Sequence, residues 1–157
     1  MRVCGIDPGA NGAICVLDSQ DSAHIALLDL KKHSNTDIYN WLHSQLRFRG
    51  SKIWIEDIHS MHGMSAKSNF SFGKNLGMVT TIAEIIKVIP PFTVTPKVWQ
   101  KYVGITAKGK AIKQQVAKIA QYLYPQAELH GKQGGLRDGR SDALMIAYYG
   151  LYYKEKV

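Results

Sequence analysis

The chain has 157 residues, 45% of them hydrophobic, and its 20 Lys and Arg against 12 Asp and Glu give a formal net charge of +8. This length predicts one domain, residues 1–157, with a sizeable core. No apolar run reaches the roughly 18 to 20 residues that span a membrane, and Asp7 interrupts the N-terminus before the apolar stretch of a signal peptide can develop.

The predicted elements alternate between strands and helices, without repeats or low-complexity linkers. Strands are predicted at residues 2–7, 13–18, 23–30, 52–57 and 91–95. Helices are predicted at residues 36–48, 68–88, 96–103, 109–123 and 140–153. Three meandering strands, then helices alternating with two more strands, predict an α/β fold: a mixed five-stranded sheet flanked by helices.

The first predicted strand ends on an acid. Asp7 closes this strand and is followed by the turn-forming segment PGANG, after which the second strand runs antiparallel to the first. Because strand pairing on both sides fixes the direction of the Asp7 side chain, the position suits a metal ligand or a group that faces a phosphate. Cys4 and Cys15 lie in these two strands, and we expect both to be free buried thiols.

A second acid, Glu56, lies at the end of the predicted strand 52–57, as Asp7 does in its own strand. Strand alternation turns Asp57 to the opposite face, so only Glu56 of this pair is expected to join Asp7. The alternative is a strand-end residue that simply reaches solvent.

The predicted helix 68–88 contains several residues with two interpretations. Ser68 is a candidate cap for its start. Phe70 and Phe72 could stack on unpaired bases, but packing in the core is the expected role. Asn75, Gly73 and Gly77 are expected to mark a close approach of another helix.

A third acidic cluster, Asp138-Gly-Arg-Ser-Asp142, lies at the start of the last predicted helix. Asp138 and Asp142 are four residues apart, so they share a helical face if the helix begins early enough. N-capping is the alternative, and it fits Asp138 or Ser141 better than Asp142, which lies too deep in the helix.

Carboxylates that meet at strand ends and a helix start repel one another unless cations lie between them. Hard divalent ions such as Mg²⁺ or Mn²⁺ take oxygen ligands. Two such ions can activate a water and stabilise the leaving oxygen in phosphodiester cleavage. We therefore predict a catalytic site with two metal ions, held by Asp7, Glu56, Asp138 and Asp142.

The basic residues outside this acidic cluster predict a polyanionic partner, for which nucleic acid is the usual choice. A solvated basic surface that serves solubility is the alternative, both for the whole surface and for each lysine. The residues predicted to contact nucleic acid are Lys108, Lys110, Lys113, Lys118 and Arg140.

Five segments resemble, in order, the RuvC family of Holliday-junction resolvases: GIDPG, IWIED, SNFSFGKNLGMV, VTPKVWQKYVGITAKGKAIKQQV and SDALMIA. The resemblance spans nearly the whole chain. It implies a ribonuclease H-like fold, a homodimer, and paired symmetric nicking of a four-way DNA junction with Mg²⁺ or Mn²⁺. It also implies that Asp7, Glu56 and Asp142 are metal ligands.

The chain departs from this family at two positions. The family's fourth ligand normally lies three residues before the last Asp, where this chain has Gly139, and we expect Asp138 to substitute for it. An aromatic residue that wedges against junction bases often follows the central Glu by three positions, where this chain has His59. A phage- or organelle-type branch of the family would account for both departures.

Other functions use parts of the same pattern. Another ribonuclease H-like nuclease would use the same acids on an RNA–DNA hybrid or on other branched DNA, and a non-catalytic nucleic-acid-binding module would need only the basic face. Actin-like ATPases and sugar kinases share Asp7-Pro-Gly but need a longer chain with a second domain. We expect a soluble junction-resolving endonuclease of the cytoplasm or nucleoid, with an organelle or a virus-infected cell as alternatives.

Overall fold

The computed structural model describes residues 1–47, 50–58, 63–87 and 90–153. Its strands are β1 (Arg2–Ile6), β2 (Ala13–Asp18), β3 (Ile25–Asp29), β4 (Lys52–Glu56) and β5 (Phe92–Val94). They form one sheet in the order β3-β2-β1-β4-β5. The three-stranded meander is antiparallel, whereas β4 and β5 run parallel to β1. The predicted mixed five-stranded sheet is confirmed.

The helices are α1 (Asn35–Leu46), α2 (Ala66–Lys87), α3 (Pro96–Tyr102), α4 (Ala111–Leu123) and α5 (Asp138–Tyr152). All five were predicted, and α5 begins two residues earlier than expected. A short 3-10 turn, Leu30–Lys32, was not predicted. Phe48 and Val88, the last residues of two predicted helices, lie outside the described residues. In the part of the chain that the structure describes, no helix is long and apolar enough to cross a lipid bilayer.

Each face of the sheet buries its own apolar layer, because side chains alternate between the faces along each strand. α3, α4 and α5 cover one face, which includes Cys15, and α1 and α2 cover the other, which includes Cys4. The two thiols are free and buried, as predicted, and they lie on opposite sides of the sheet.

α5 lies directly on β1 and is buried on nearly all sides. A Cβ atom on Gly5 would lie 2.2 Å from the Ala147 nitrogen and 2.3 Å from the Ala143 oxygen, so only glycine allows this approach. Residues Ala143 to Ala147 are fully buried. This packing fixes the position of the whole helix, including its first turn.

Two expectations for α2 are wrong. The helix begins before Ser68, whose amide donates to the hydroxyl of Ser65 at 3.1 Å, so Ser65 takes the capping role. Phe70 does not pack in the core, because it is 75% exposed. A Cβ on Gly73 or Gly77 would have no atom within 4 Å, so no described residue of the same chain approaches either glycine closely, and a contact of this helix with a second subunit stays a prediction.

Candidate active site

Asp7 and Glu56 lie side by side at the carboxyl edge of the sheet. The parallel strands β1 and β4 pair Ile6 with Ile55, so the residues that follow each of them are neighbours. Strand alternation places both acids, like Trp54, on the face of the sheet that α5 covers. The two side chains are buried, since Asp7 is 9% and Glu56 is 5% exposed.

The Asp7 side chain is held by the turn between β1 and β2. Its Oδ1 accepts the amide of Gly9 at 2.8 Å, and its own amide donates to the carbonyl of Ala13 at 3.0 Å. From α2, the side-chain amide of Asn75 donates to the carbonyl of Gly9 at 3.1 Å. These bonds fix the carboxylate at the strand end, as the turn-forming segment predicts.

The first turn of α5 brings the remaining acids to the same edge. A Cβ on Gly139 would lie 2.1 Å from the carbonyl oxygen of Asn11, in the turn that follows Asp7. Backbone therefore fills the space where a side chain at position 139 would project, and the carboxylate of this turn comes from Asp138. This contact gives a steric reason for glycine at position 139.

Capping does not explain this cluster. Arg137 occupies the N-cap position of α5 and makes no side-chain cap bond. The Ser141 hydroxyl donates to the carbonyl of Asp138 at 2.8 Å instead of accepting an amide. Asp142 lies one turn into the helix, half-buried, on the side of the acids of β1 and β4.

The four carboxylates interact electrostatically. Burial, assisted by the Asp138 charge, raises the pKa of Asp7 to about 6 against the opposing effect of the Gly9 hydrogen bond. Burial and the Asp7 charge raise the pKa of Glu56 to about 7. Burial and the charges of Asp7, Glu56 and Asp138 raise the pKa of Asp142 well above its usual range. Asp7, Glu56 and Asp142 are therefore costly to ionise while no cation lies between them.

Lys113 of α4 is the basic residue that reaches this cluster. Its Nζ donates to Oδ2 of Asp138, and this hydrogen bond raises the lysine pKa. Within the described segments, Asp7, Glu56 and Asp142 have no ion-pair partner.

The other predicted phosphate-contacting residues lie in two different settings. Lys108, Lys110 and Lys118 are exposed in α4 and the turn before it, so contact with nucleic acid stays a prediction for them. Arg140 instead donates from Nε and Nη2 to the Asp29 carboxylate at 2.7 and 3.1 Å, and from Nη1 to the carbonyl of Glu128 at 2.7 Å. Because all three guanidinium nitrogens are engaged internally, this geometry does not favour a DNA contact by Arg140.

Asp29 is a functional candidate that the sequence analysis missed. Besides Arg140, it accepts a hydrogen bond from Nη1 of Arg137 at 3.1 Å. These bonds hold the pKa of Asp29 below its usual range and tie the start of α5 to the end of β3. No local pattern predicts this, because the partners are separated by more than one hundred residues.

Trp99 was also missed. It is fully buried in α3, and its indole N–H donates to Oε1 of Glu56 at 2.8 Å. This bond opposes the rise in the Glu56 pKa and fixes one carboxylate oxygen. In the sequence, a tryptophan in a short helix indicates only core packing.

The donor chemistry of the site fits hard divalent cations, because four coupled carboxylates supply only oxygen atoms. Among the described residues, however, no group of three His, Cys, Asp or Glu side chains is arranged so that it could hold a metal ion. Asp7 and Glu56 are each fixed by a hydrogen bond. His59, at the family's wedge position, lies outside the described residues.

No protein-family model and no curated protein matches the chain. Its structure is similar to that of Thermus thermophilus RuvC in complex with a Holliday junction substrate, with 18% identity, a TM-score of 0.61, and coverage of 97% of this chain and 94% of that chain. A second Thermus thermophilus RuvC structure gives 20% identity, a TM-score of 0.54, and coverage of 96% and 95%. The predicted ribonuclease H-like α/β fold, in its RuvC form, is confirmed.

Proposed function

We propose that this chain is a divalent-metal-dependent endonuclease of the RuvC family that resolves four-way DNA junctions by paired symmetric nicks. The observation that carries the proposal is the set of four coupled carboxylates at the carboxyl edge of β1 and β4, on a fold shared with RuvC. A junction substrate is bound by one of the similar structures. The formal net charge of +8 favours a polyanion as substrate here too.

In the proposed mechanism, Asp7, Glu56, Asp142 and Asp138 would hold two Mg²⁺ or Mn²⁺ ions. Such ions lower the pKa of an attacking water and stabilise the leaving oxygen. In the net hydrolysis the water oxygen would bond to the phosphorus while losing a proton, and the bond to the 3′-oxygen would break while that oxygen takes up a proton, which leaves a 3′-hydroxyl and a 5′-phosphate. The protein holds Asp7 through the Gly9 amide and Glu56 through the Trp99 indole.

Lys113 has a role in this mechanism that follows from its position. Its ammonium group lies beside Asp138 and is also electrostatically coupled to Asp7 and Asp142. In the absence of metal it partly balances their charge. With substrate bound, it is placed to interact with the negative charge on the phosphate.

Two symmetric nicks require two copies of the site, so the proposal includes a homodimer. It also places the protein in contact with DNA, in the cytoplasm or nucleoid. The dimer is tested by measuring the mass in solution with and without a junction.

The experiment that tests the function is incubation with a synthetic four-way junction, with Mg²⁺, with Mn²⁺ or with EDTA. We expect paired, metal-dependent nicks at symmetric positions, and no cutting of a linear duplex of the same sequence. Asp7→Asn and Glu56→Gln are expected to bind the junction without cutting it. Asp21→Asn and Glu84→Gln, which make the same chemical changes at exposed positions, are the matched controls.

Two outcomes would contradict the proposal. Cutting of an RNA–DNA hybrid in preference to the junction would indicate a different nuclease on the same fold. Cutting by Asp7→Asn and Glu56→Gln at the rate of their controls would exclude the carboxylate site.

A further inference from the structure

A cleft next to the carboxylates carries a second group of basic residues, none of which is among the individual residues predicted above to contact nucleic acid. It has a volume of about 570 Å³ and opens between the β1–β2 turn, the 3-10 turn Leu30–Lys32 and the segment 131–137. We call it the basic cleft. Its lining residues include Lys31, Lys32, Lys132, Arg137, Asp29 and Asp138.

The walls of the basic cleft are fixed by hydrogen bonds. On one side, the Gly131 amide donates to the carbonyl of Gly135 at 2.8 Å, which closes the turn that carries Lys132. On the other side, the Leu30 amide donates to the carbonyl of Gly12 at 3.0 Å, which joins the 3-10 turn to the β1–β2 turn. The lysines therefore project from ordered backbone.

The charge of the cleft favours an anion. Its two acids are already paired, Asp29 with arginines and Asp138 with Lys113. Lys31 and Lys132 are exposed, and neither makes an ion pair with any residue that the structure describes. The cleft thus presents uncompensated positive charge. Among the described lining residues, Leu136 is the one large apolar side chain, and its surface is too small to bind an apolar ligand.

The position of the cleft identifies which anion fits. It opens at Asp138 and at the Asn11–Gly12 turn, and both of these also border the carboxylate site. A phosphodiester chain whose scissile phosphate lies at the carboxylates would continue into this cleft with its neighbouring phosphates.

From this geometry we infer that the basic cleft binds the DNA backbone beside the cleavage site, through Lys31 and Lys132. The inference rests on the proposed function and deepens it, because it names the path of the strand that is cut. Lys31 and Lys132 hold the strand from opposite walls and set its register. Their contacts are to phosphates, so they carry no base preference.

The test measures binding of a fluorescent four-way junction in EDTA, without cleavage, at increasing salt concentration. Each lost phosphate contact is expected to reduce the slope of log K against log salt by about 0.9. Lys31→Gln and Lys132→Gln are each expected to show this reduction, and the double variant the sum. Lys52→Gln is the control, since Lys52 is an exposed lysine at the amino end of β4, away from the site. Its slope is expected to equal that of the wild type.

A second measurement locates the contact. A junction with an uncharged methylphosphonate next to the cut position is expected to bind the wild type more weakly and to bind Lys132→Gln with no further loss. Inorganic phosphate, compared with chloride at equal ionic strength, is expected not to displace the junction. Displacement would show that the cleft is a site for a free anion, and would overturn the inference.

Failure of the proposed function and failure of the cleft assignment give different results. Wild-type protein that neither binds nor cuts junctions would overturn the proposed function, and the assignment of the cleft with it. Normal binding and cutting, with unchanged slopes in Lys31→Gln and Lys132→Gln, would overturn the cleft alone. Thermal unfolding of each variant shows whether it is folded, and these exposed lysines are not expected to affect it.

Discussion

Replacing Asp7 by Asn is expected to stabilise the metal-free protein while it abolishes junction cleavage. The Asp7 carboxylate is buried next to Glu56 and is coupled to Asp138. Above its pKa it is ionised at a cost that the Gly9 hydrogen bond and the Lys113 charge offset only in part. Asparagine has nearly the same shape and keeps a carbonyl oxygen for the Gly9 amide, which lies 2.8 Å from Oδ1. The substitution therefore removes the charge and little else.

The magnitude follows from the shift in pKa. The pKa of Asp7 rises from 3.8 to about 6 in the folded protein, and each unit corresponds to about 1.4 kcal/mol. The ionised carboxylate thus costs up to about 3 kcal/mol of folding free energy. Because the folded state binds the proton more tightly, wild-type stability falls as the pH rises from about 4 to about 6, and the full cost is present above that window.

The assay is urea unfolding of wild type and Asp7→Asn in EDTA, near pH 8 and near pH 4. The variant is expected to be more stable by about 1–3 kcal/mol near pH 8 and about equal near pH 4. Mg²⁺ is expected to stabilise the wild type more than the variant, because it binds the folded wild-type site. A variant that is less stable than wild type near pH 8, or equally stabilised at both pH values, would refute this electrostatic reasoning.

Three further substitutions test the supports of the site. Asp29→Asn loses the ion pairs that tie α5 to β3, so we expect a free energy of unfolding about 1–3 kcal/mol lower at neutral pH. We also expect weaker Mg²⁺ binding, measured by titration. The loss of stability shrinks as the pH falls through the folded pKa of Asp29, which is held below its usual range. Trp99→Phe removes the indole donor that lowers the pKa of Glu56, so the acidic limb of the pH–cleavage profile is expected to move to higher pH. Gly139→Ala places a methyl group against the Asn11 carbonyl, and we expect about 1–3 kcal/mol lower stability in urea unfolding together with loss of cleavage.

Each of these has a control in the same chain. Asp21→Asn makes the same change in an exposed turn, and Trp41→Phe alters a half-buried tryptophan of α1. Gly73→Ala adds a methyl group where nothing lies within 4 Å, and it should stabilise α2 by about 0.5–1 kcal/mol. Equal effects in a test variant and its control would show that the contact in question does not support the site.

The sequence by itself determined the order and type of the main elements. Strand β2 was predicted at its observed bounds, and the turn after Asp7 was predicted from its glycines and proline. These features depend on local chemistry, namely turn-forming residues, alternation in strands and apolar spacing in helices. Because parallel strands end at one edge of a sheet, Asp7 and Glu56 could also be paired without coordinates.

Tertiary structure alone decided which side chains support that pair. The indole of Trp99, the ion pairs of Asp29 and the fit of Gly139 against Asn11 join residues that are distant in the chain. The same packing joins Arg140 to Asp29 in an ion pair that the sequence does not predict, and it leaves Phe70 exposed, contrary to expectation. Local pattern shows which residue types a segment contains. Which partner each one meets depends on how the helices pack on the sheet, and the packing of α5 on β1 decides this for the site.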